Sequence, residues 1–161
     1  MNLLGIDLGI RKIAIAAFDK GVLVDAASFV SVAEDRAFQL RELSLIAQSL
    51  AILHHAEAAW IEDTLVGNNR KYSLQLTELK GAVMSSLFTL DVRTVNVQTW
   101  KREVVGNAHA SKDQVRDYIH VTHGAYAPLC GDDQDRYDAT CIGLYGLLIT
   151  ERARGLQLQP G

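Results

Sequence analysis

Four acidic residues stand where patterning would not put surface charge. Asp7 interrupts the apolar run Leu3-Leu4-Gly5-Ile6-Asp7-Leu8-Gly9, which reads as a buried strand. Glu62 ends the run Ala58-Ala59-Trp60-Ile61. Asp135 and Asp138 precede Ala139, Ile142, Gly143, Gly146 and Leu147, so a helix there sets both acids on one face, about 5–6 Å apart. A buried, unpaired carboxylate is costly, and carboxylates sharing a site repel by about 3–4 kcal/mol per pair at an effective dielectric near 20. Hard divalent cations with oxygen ligands relieve that cost, and Mg²⁺ suits a carboxylate, phosphate and water shell. Two such ions about 3.5–4 Å apart can activate a water and stabilise the leaving oxygen of an in-line phosphoryl displacement. Taken singly, Asp135 beside Asp132 and Asp133 reads as a helix-start acid, and Glu62 as an ordinary strand-end residue. Asp7 has no such ordinary reading, and Asp138 has only a weak one. No His or Cys has a spacing that suggests zinc.

The elements that must carry these acids follow from the pattern. After the Asp7 strand, Arg11–Phe18 and Val22–Phe29 read as two more strands joined at Lys20-Gly21, giving an antiparallel meander. Ser31-Val32-Ala33-Glu34 has the spacing of a capping box and opens a helix over Arg36–His55. Glu57–Glu62 is a fourth strand, 63–71 a polar loop, and 72–90 a helix with Leu76, Leu79, Val83 and Leu87 on one face. That helix also carries Gly81-Ala82 and Ser85-Ser86, which permit close approach. Asp91–Asn96 is a fifth strand and Thr99–Val105 a short helix. Ser111-Lys112-Asp113-Gln114 is a second capping box, starting a helix that runs to His123, and Gly124–Gly131 is a connecting loop. The last helix spans Asp132–Arg154. The order β-β-β-α-β-α-β-α implies a ribonuclease H-like α/β fold: a mixed five-stranded sheet, its first three strands antiparallel, with helices on both faces.

Bulk properties fit one domain over residues 1–155 with a flexible tail at 156–161: 161 residues, 48% hydrophobic and 22% charged. No apolar run reaches membrane-spanning length, and the first residues lack the basic region, apolar run and cleavage site expected of a signal peptide. Cys130 and Cys141 read as reduced thiols, which places the chain in the cytoplasm. The formal charge of −3 argues weakly against nucleic acid, but a carboxylate cluster lowers the total without removing a basic patch elsewhere.

Leu4-Gly5-Ile6-Asp7-Leu8-Gly9, Trp60-Ile61-Glu62-Asp63 and Asp135-Arg136-Tyr137-Asp138-Ala139 resemble the three acidic motifs of RuvC-type Holliday junction resolvases. Thr99–Val115, with its lysine, Val104-Val105-Gly106 loop and second lysine before Gln114-Val115, is similar to a further segment of that family. The match runs from Asn2 to about Arg152. The resemblance implies a homodimer, formed through the helix near residues 72–90, that binds four-way or branched DNA and nicks two opposing strands symmetrically. It implies two Mg²⁺ ions, for which Mn²⁺ should substitute, held by Asp7, Glu62, Asp135 and Asp138. Lys101 and Lys112 match the family's two functional lysines, and a lysine at a helix start suits an approach to the scissile phosphate. Leu65 stands where bacterial members carry an aromatic that enters the junction, which marks a divergent, phage-type or otherwise specialised member. Tyr72 is the nearest aromatic and can either stack on a base or pack on its own protein.

Basic residues fall in the groups Arg11-Lys12, Arg70-Lys71, Lys80, Lys101-Arg102 and Lys112; given the expected fold, the last three flank the acids and form a phosphate track, with Arg70 and Lys71 as further DNA-binding candidates. Solvated surface charge is the ordinary reading of any one of them. His120 and His123 read as a helix C-terminal pair. Two rivals remain: a related nuclease acting on other branched DNA or on RNA, and an ATPase of the actin-like superfamily, whose first phosphate motif Gly5-Ile6-Asp7-Leu8-Gly9 also resembles. The chain lacks that superfamily's other Gly-rich motifs and its second domain.

Overall fold

β1 (Leu3–Gly9) is the hub of the sheet. It pairs antiparallel with β2 (Lys12–Asp19) and parallel with β4 (Ala58–Glu62). With β3 (Val22–Val30) and β5 (Asp91–Val95) outside these, the computed structural model gives a five-stranded sheet in the order β3-β2-β1-β4-β5. It describes residues 1–63 and 70–157; Leu65 and the end of the expected tail lie outside the described residues. The predicted ribonuclease H-like order and antiparallel meander are both present.

Strand alternation divides the core in two. Leu4, Ile6 and Leu8 face one side, where α1 (Arg36–Leu53) and α2 (Arg70–Ser86) cover the sheet through Leu43, Ala47, Ala51, Leu79 and Val83. Leu3, Ala14, Ala16 and Phe18 face the other, under α6 (Gln134–Gln157) and the elements before it. Those are α3 (Val97–Trp100), a π-helical turn over Lys101–Val105, α4 (Lys112–Thr122) and α5 (Ala127–Cys130).

α6 rides on β1 at unusually short range. A Cβ at Gly5 would sit 2.1 Å from the Ala139 carbonyl oxygen and 2.4 Å from the Gly143 nitrogen. Gly143 and Gly146 in turn admit the side chains of Phe18 and Trp60. Glycine is required at Gly5 because backbone meets backbone there. Gly5 and Asp7 share a strand face, so the approach that Gly5 permits also brings the start of α6 over Asp7.

Several expectations need correction. Ser31 and Glu34 do not cap α1. Asp35 does, accepting from the Phe38 N–H at 2.8 Å, while buried Ser31 donates to Glu42 of α1 at 2.5 Å. The Ser111/Gln114 capping box forms as predicted. The segment 124–131 is a 3₁₀ turn followed by α5 rather than an open loop, and α6 continues past Arg154 to Gln157. The Leu79/Val83/Leu87 face of the 72–90 helix is fully committed to the chain's own core, with Leu76 packed beside it. Any contact with a second copy must use another face of α2. No described helix is long and apolar enough to cross a membrane.

Candidate metal centre

The β1–β4 register aligns Leu3 with Ala58 and Ile6 with Ile61, so Asp7 and Glu62 are the next residues on adjacent parallel strands. Both lie at the carboxyl ends of these strands, where open α/β sheets place their ligands. The start of α6 adds Asp135 and Asp138, and one oxygen from each of Asp7, Asp135 and Asp138 lies within 4.8 Å of the others. Glu62 lines the same cavity of about 400 Å³, as do Asp63, Tyr72, Leu76, Val97 and Lys112. The four acids singled out in the sequence therefore converge.

Their electrostatics call for a cation. Burial, then the charges of Glu62, Asp138 and Asp135, push the Asp7 carboxyl well above its usual range, with the Leu8 N–H opposing. Glu62 is raised by burial and by Asp138, against the Trp100 indole and Lys101. Asp138 is raised by burial and Asp135, against Gln134, Lys101 and Lys112. An oxygen-only donor set whose negative charge is only partly compensated fits a hard divalent cation, so Asp7, Glu62, Asp135 and Asp138 are the residues that would hold it.

Neighbours orient the acids. Trp100 is buried at the junction of α3 and the π-helical turn, and its indole N–H donates to Glu62 Oε2 at 2.8 Å. The Gln134 amide donates to Asp138 Oδ1 at 3.1 Å. Sequence reasoning missed both, along with Lys12, whose ammonium pairs with Asp135 at 2.7 Å. A signal for Lys12 existed: Lys12, Ala14 and Ala16 alternate on one side of β2, and Ala14 pairs across from Asp7.

The predicted basic residues separate into groups. Lys112 opens the capped helix α4 and lines the cavity. Lys101 does not line it. Its Nζ donates to the Ala110 carbonyl at 2.8 Å and lies 5.6 Å from the Trp100 ring centre. It thereby ties down the loop that leaves Gly106, a residue at φ +85°, and leads into Ser111. Lys80 is paired with Asp63 at 2.5 Å. Arg70, Lys71 and Arg102 are exposed, and Arg102 bonds its neighbour Glu103. Tyr72 is half-exposed at the cavity wall. His120 and His123 engage Tyr137 and Tyr118 separately and do not form a metal pair.

Known proteins share this fold. The family model described as crossover junction endodeoxyribonuclease RuvC matches residues 3–123. The crossover junction endodeoxyribonuclease RuvC of Rickettsia bellii is 32% identical over 158 residues, covering 94% of this chain and 99% of the relative. The Thermus thermophilus RuvC structure superposes with a TM-score of 0.80 at 18% identity, over 95% of this chain and 97% of that one. T. thermophilus RuvC in complex with Holliday junction substrate gives 0.83 at 18% identity, over 95% and 96%. The family match, the near full-length relative and the shared fold agree with the four converging acids, and the chain belongs to the crossover junction endodeoxyribonuclease RuvC family.

Proposed function

We propose that this single-domain protein is a divalent-cation-dependent endonuclease that resolves four-way DNA junctions by paired, symmetric nicks. The observation that carries this reading is the meeting of Asp7, Asp135 and Asp138 oxygens within 4.8 Å at the strand ends, beside Glu62. The family relationship supplies the substrate, since a relative of the same fold is known with a Holliday junction. Two Mg²⁺ ions on these acids would supply the activated water and the stabilisation of the leaving oxygen.

The chain's own residues do the rest. Lys112 and the amino end of α4 present positive charge to a phosphate entering the cavity. The Ser111/Gln114 box fixes that helix start, and Lys101 fixes the loop before it, so Lys101 is a positioning residue. Tyr72 offers a ring at the cavity edge for stacking on a sugar or base. Arg70, Lys71 and Arg102 extend the positive track outward.

Symmetric nicking needs two copies. The exposed side of α2 carries Leu74, Gly81 and Ser85, with Phe88 just beyond the helix. Nothing lies within 4 Å of a Cβ built on Gly81, so this side is open to a second α2 at short range.

The test offers purified protein a mobile four-way junction, a flap, a fork and linear duplex, with Mg²⁺ or with EDTA, alongside a measurement of mass in solution. Junction-selective paired nicks in Mg²⁺ by a dimer are expected, with Mn²⁺ substituting. Equal cutting of flaps and junctions would remove the junction selectivity and leave a general branched-DNA nuclease.

A further inference from the structure

Lys12 Nζ sits between two acids of the α6 start, 2.7 Å from Asp135 Oδ2 and 3.0 Å from each oxygen of Asp133. The two acids differ in how they are held. Asp133 accepts from Ser28 Oγ on β3 at 2.5 Å and from the Asp135 N–H at 3.0 Å, and Arg136 Nε reaches Ser28 at 3.3 Å. Asp133 is thus tied to the sheet and to the helix backbone. Asp135 is the acid that meets Asp7 and Asp138 in the candidate metal centre. One acid of the centre already has a cation, carried by the protein itself.

We infer that Lys12 is a tethered counter-cation that competes with the divalent ion for Asp135, holding that end of the centre weakly loaded until substrate arrives. The inference rests on the metal-centre reading above. An ammonium has three donors and no fixed fork, so it serves Asp133 and Asp135 together and can release one while keeping the other. Asp133, anchored independently of Lys12, is the residue that retains the ammonium when Asp135 turns to the ion. Release is therefore a short shift of a lysine head rather than exposure of a bare charge. Two consequences follow. The DNA-free protein binds its weaker divalent ion less tightly than four carboxylates would dictate, and the start of α6 stays ordered without metal. A phosphate entering the cavity adds oxygen ligands for the ion and tips the competition against Lys12.

The experiment titrates Mn²⁺ into DNA-free protein, reading bound metal by electron paramagnetic resonance, and records Tm in EDTA and in saturating Mg²⁺. Lys12→Met is expected to lower the Kd of the weaker ion by about two- to fivefold, as for one ion pair about one-third exposed. Lys12→Arg keeps the charge but brings a fixed fork, so its Kd should not fall as that of Lys12→Met does. Lys12→Met should also lower Tm in EDTA and recover most of that loss in Mg²⁺, because the ion then neutralises Asp135. Lys12→Gln repeats the comparison with a polar side chain should the methionine variant fold poorly. An unchanged or weaker Kd, or a Tm deficit that Mg²⁺ leaves intact, would overturn the proposal and make Lys12 a structural ion pair only. Asp7→Asn measured in parallel separates the two levels. Lost Mn²⁺ binding there with no tightening at Lys12→Met overturns the Lys12 role alone, whereas unaltered binding at Asp7→Asn overturns the centre itself.

Discussion

Replacing Asp7 by Asn keeps the shape of the side chain and removes its charge, which should make the metal-free protein more stable while ending its activity. Asp7 is held among like charges, with Asp135 and Asp138 oxygens inside 4.8 Å and Glu62 on the adjoining strand. At that separation two full charges repel by about 3.5 kcal/mol at an effective dielectric near 20. Lys12 on Asp135 and Lys112 near Asp138 offset part of this, leaving about 2 kcal/mol as the net penalty of an ionised Asp7 in the absence of metal. The Asn carbonyl can still accept the Leu8 N–H. Asp7→Asn is therefore expected to raise Tm in EDTA by about 4–8 °C, at the 2–4 °C per kcal/mol usual for a chain of this size. The wild type should gain Tm as Mg²⁺ is added, the variant should gain little, and cleavage should disappear with junction binding largely kept. Differential scanning fluorimetry across a Mg²⁺ series, with gel-based junction cleavage and binding assays, measures all of these. A variant less stable than wild type in EDTA would refute the claim that burial and neighbouring charge penalise an ionised Asp7. Retained nicking would remove Asp7 from the centre.

Gly5→Ala should destabilise the fold by more than about 3 kcal/mol, since the added methyl meets backbone atoms of α6 on two sides; an unchanged urea midpoint would mean α6 can back away. Trp100→Phe keeps a ring but deletes the donor to Glu62, a bond to a charged acceptor worth about 1.5–3 kcal/mol, so half-maximal cleavage should need more Mg²⁺. An unaltered Mg²⁺ requirement would show that Glu62 is oriented by something else. Asp7, Glu62 and Asp138 have folded-state pKa values above their unfolded ones, so the fold binds more protons there. Their contribution to metal-free stability is largest at acid pH and is lost as pH rises from the ordinary carboxylate range through the raised values. Asp133 is held low against its own burial by Ser28 and Lys12, so its stabilisation is present above the ordinary range and lost as pH falls through its depressed value. Tm against pH should thus fall toward neutrality in EDTA and flatten in Mg²⁺; a flat profile in EDTA would contradict the crowding.

Asp7 and Asp138 were legible in the sequence because each violates a local pattern, an apolar strand and an apolar helical face, whereas Glu62 and Asp135 stand out only beside those two. The order of elements was legible because the period changes from two to 3.6 where a strand gives way to a helix. What stayed hidden depends on contacts between distant segments. Ser31 has the local spacing of a cap, but its hydroxyl goes to Glu42 of α1, and Asp35 caps the helix instead. Lys101 has the local setting of a phosphate-binding lysine, and its ammonium also bonds a carbonyl nine residues on, a contact that no local pattern shows. Lys80 likewise is claimed by Asp63. The π-helical turn at Lys101–Val105 carries no sequence signature beyond helical composition, and it sets where Trp100 and Lys101 point.

The contact of Gly5 with α6 joins the first strand of the chain to its last helix, and that has a bearing on when the protein becomes a nuclease. Asp7 and Glu62 precede Asp135 and Asp138 in the chain, so they leave the ribosome before them. Until α6 settles onto β1, Asp7 and Glu62 lack the two acids of that helix and the cavity lacks the wall that α6 supplies. The centre we propose would therefore form only once α6 has folded onto β1.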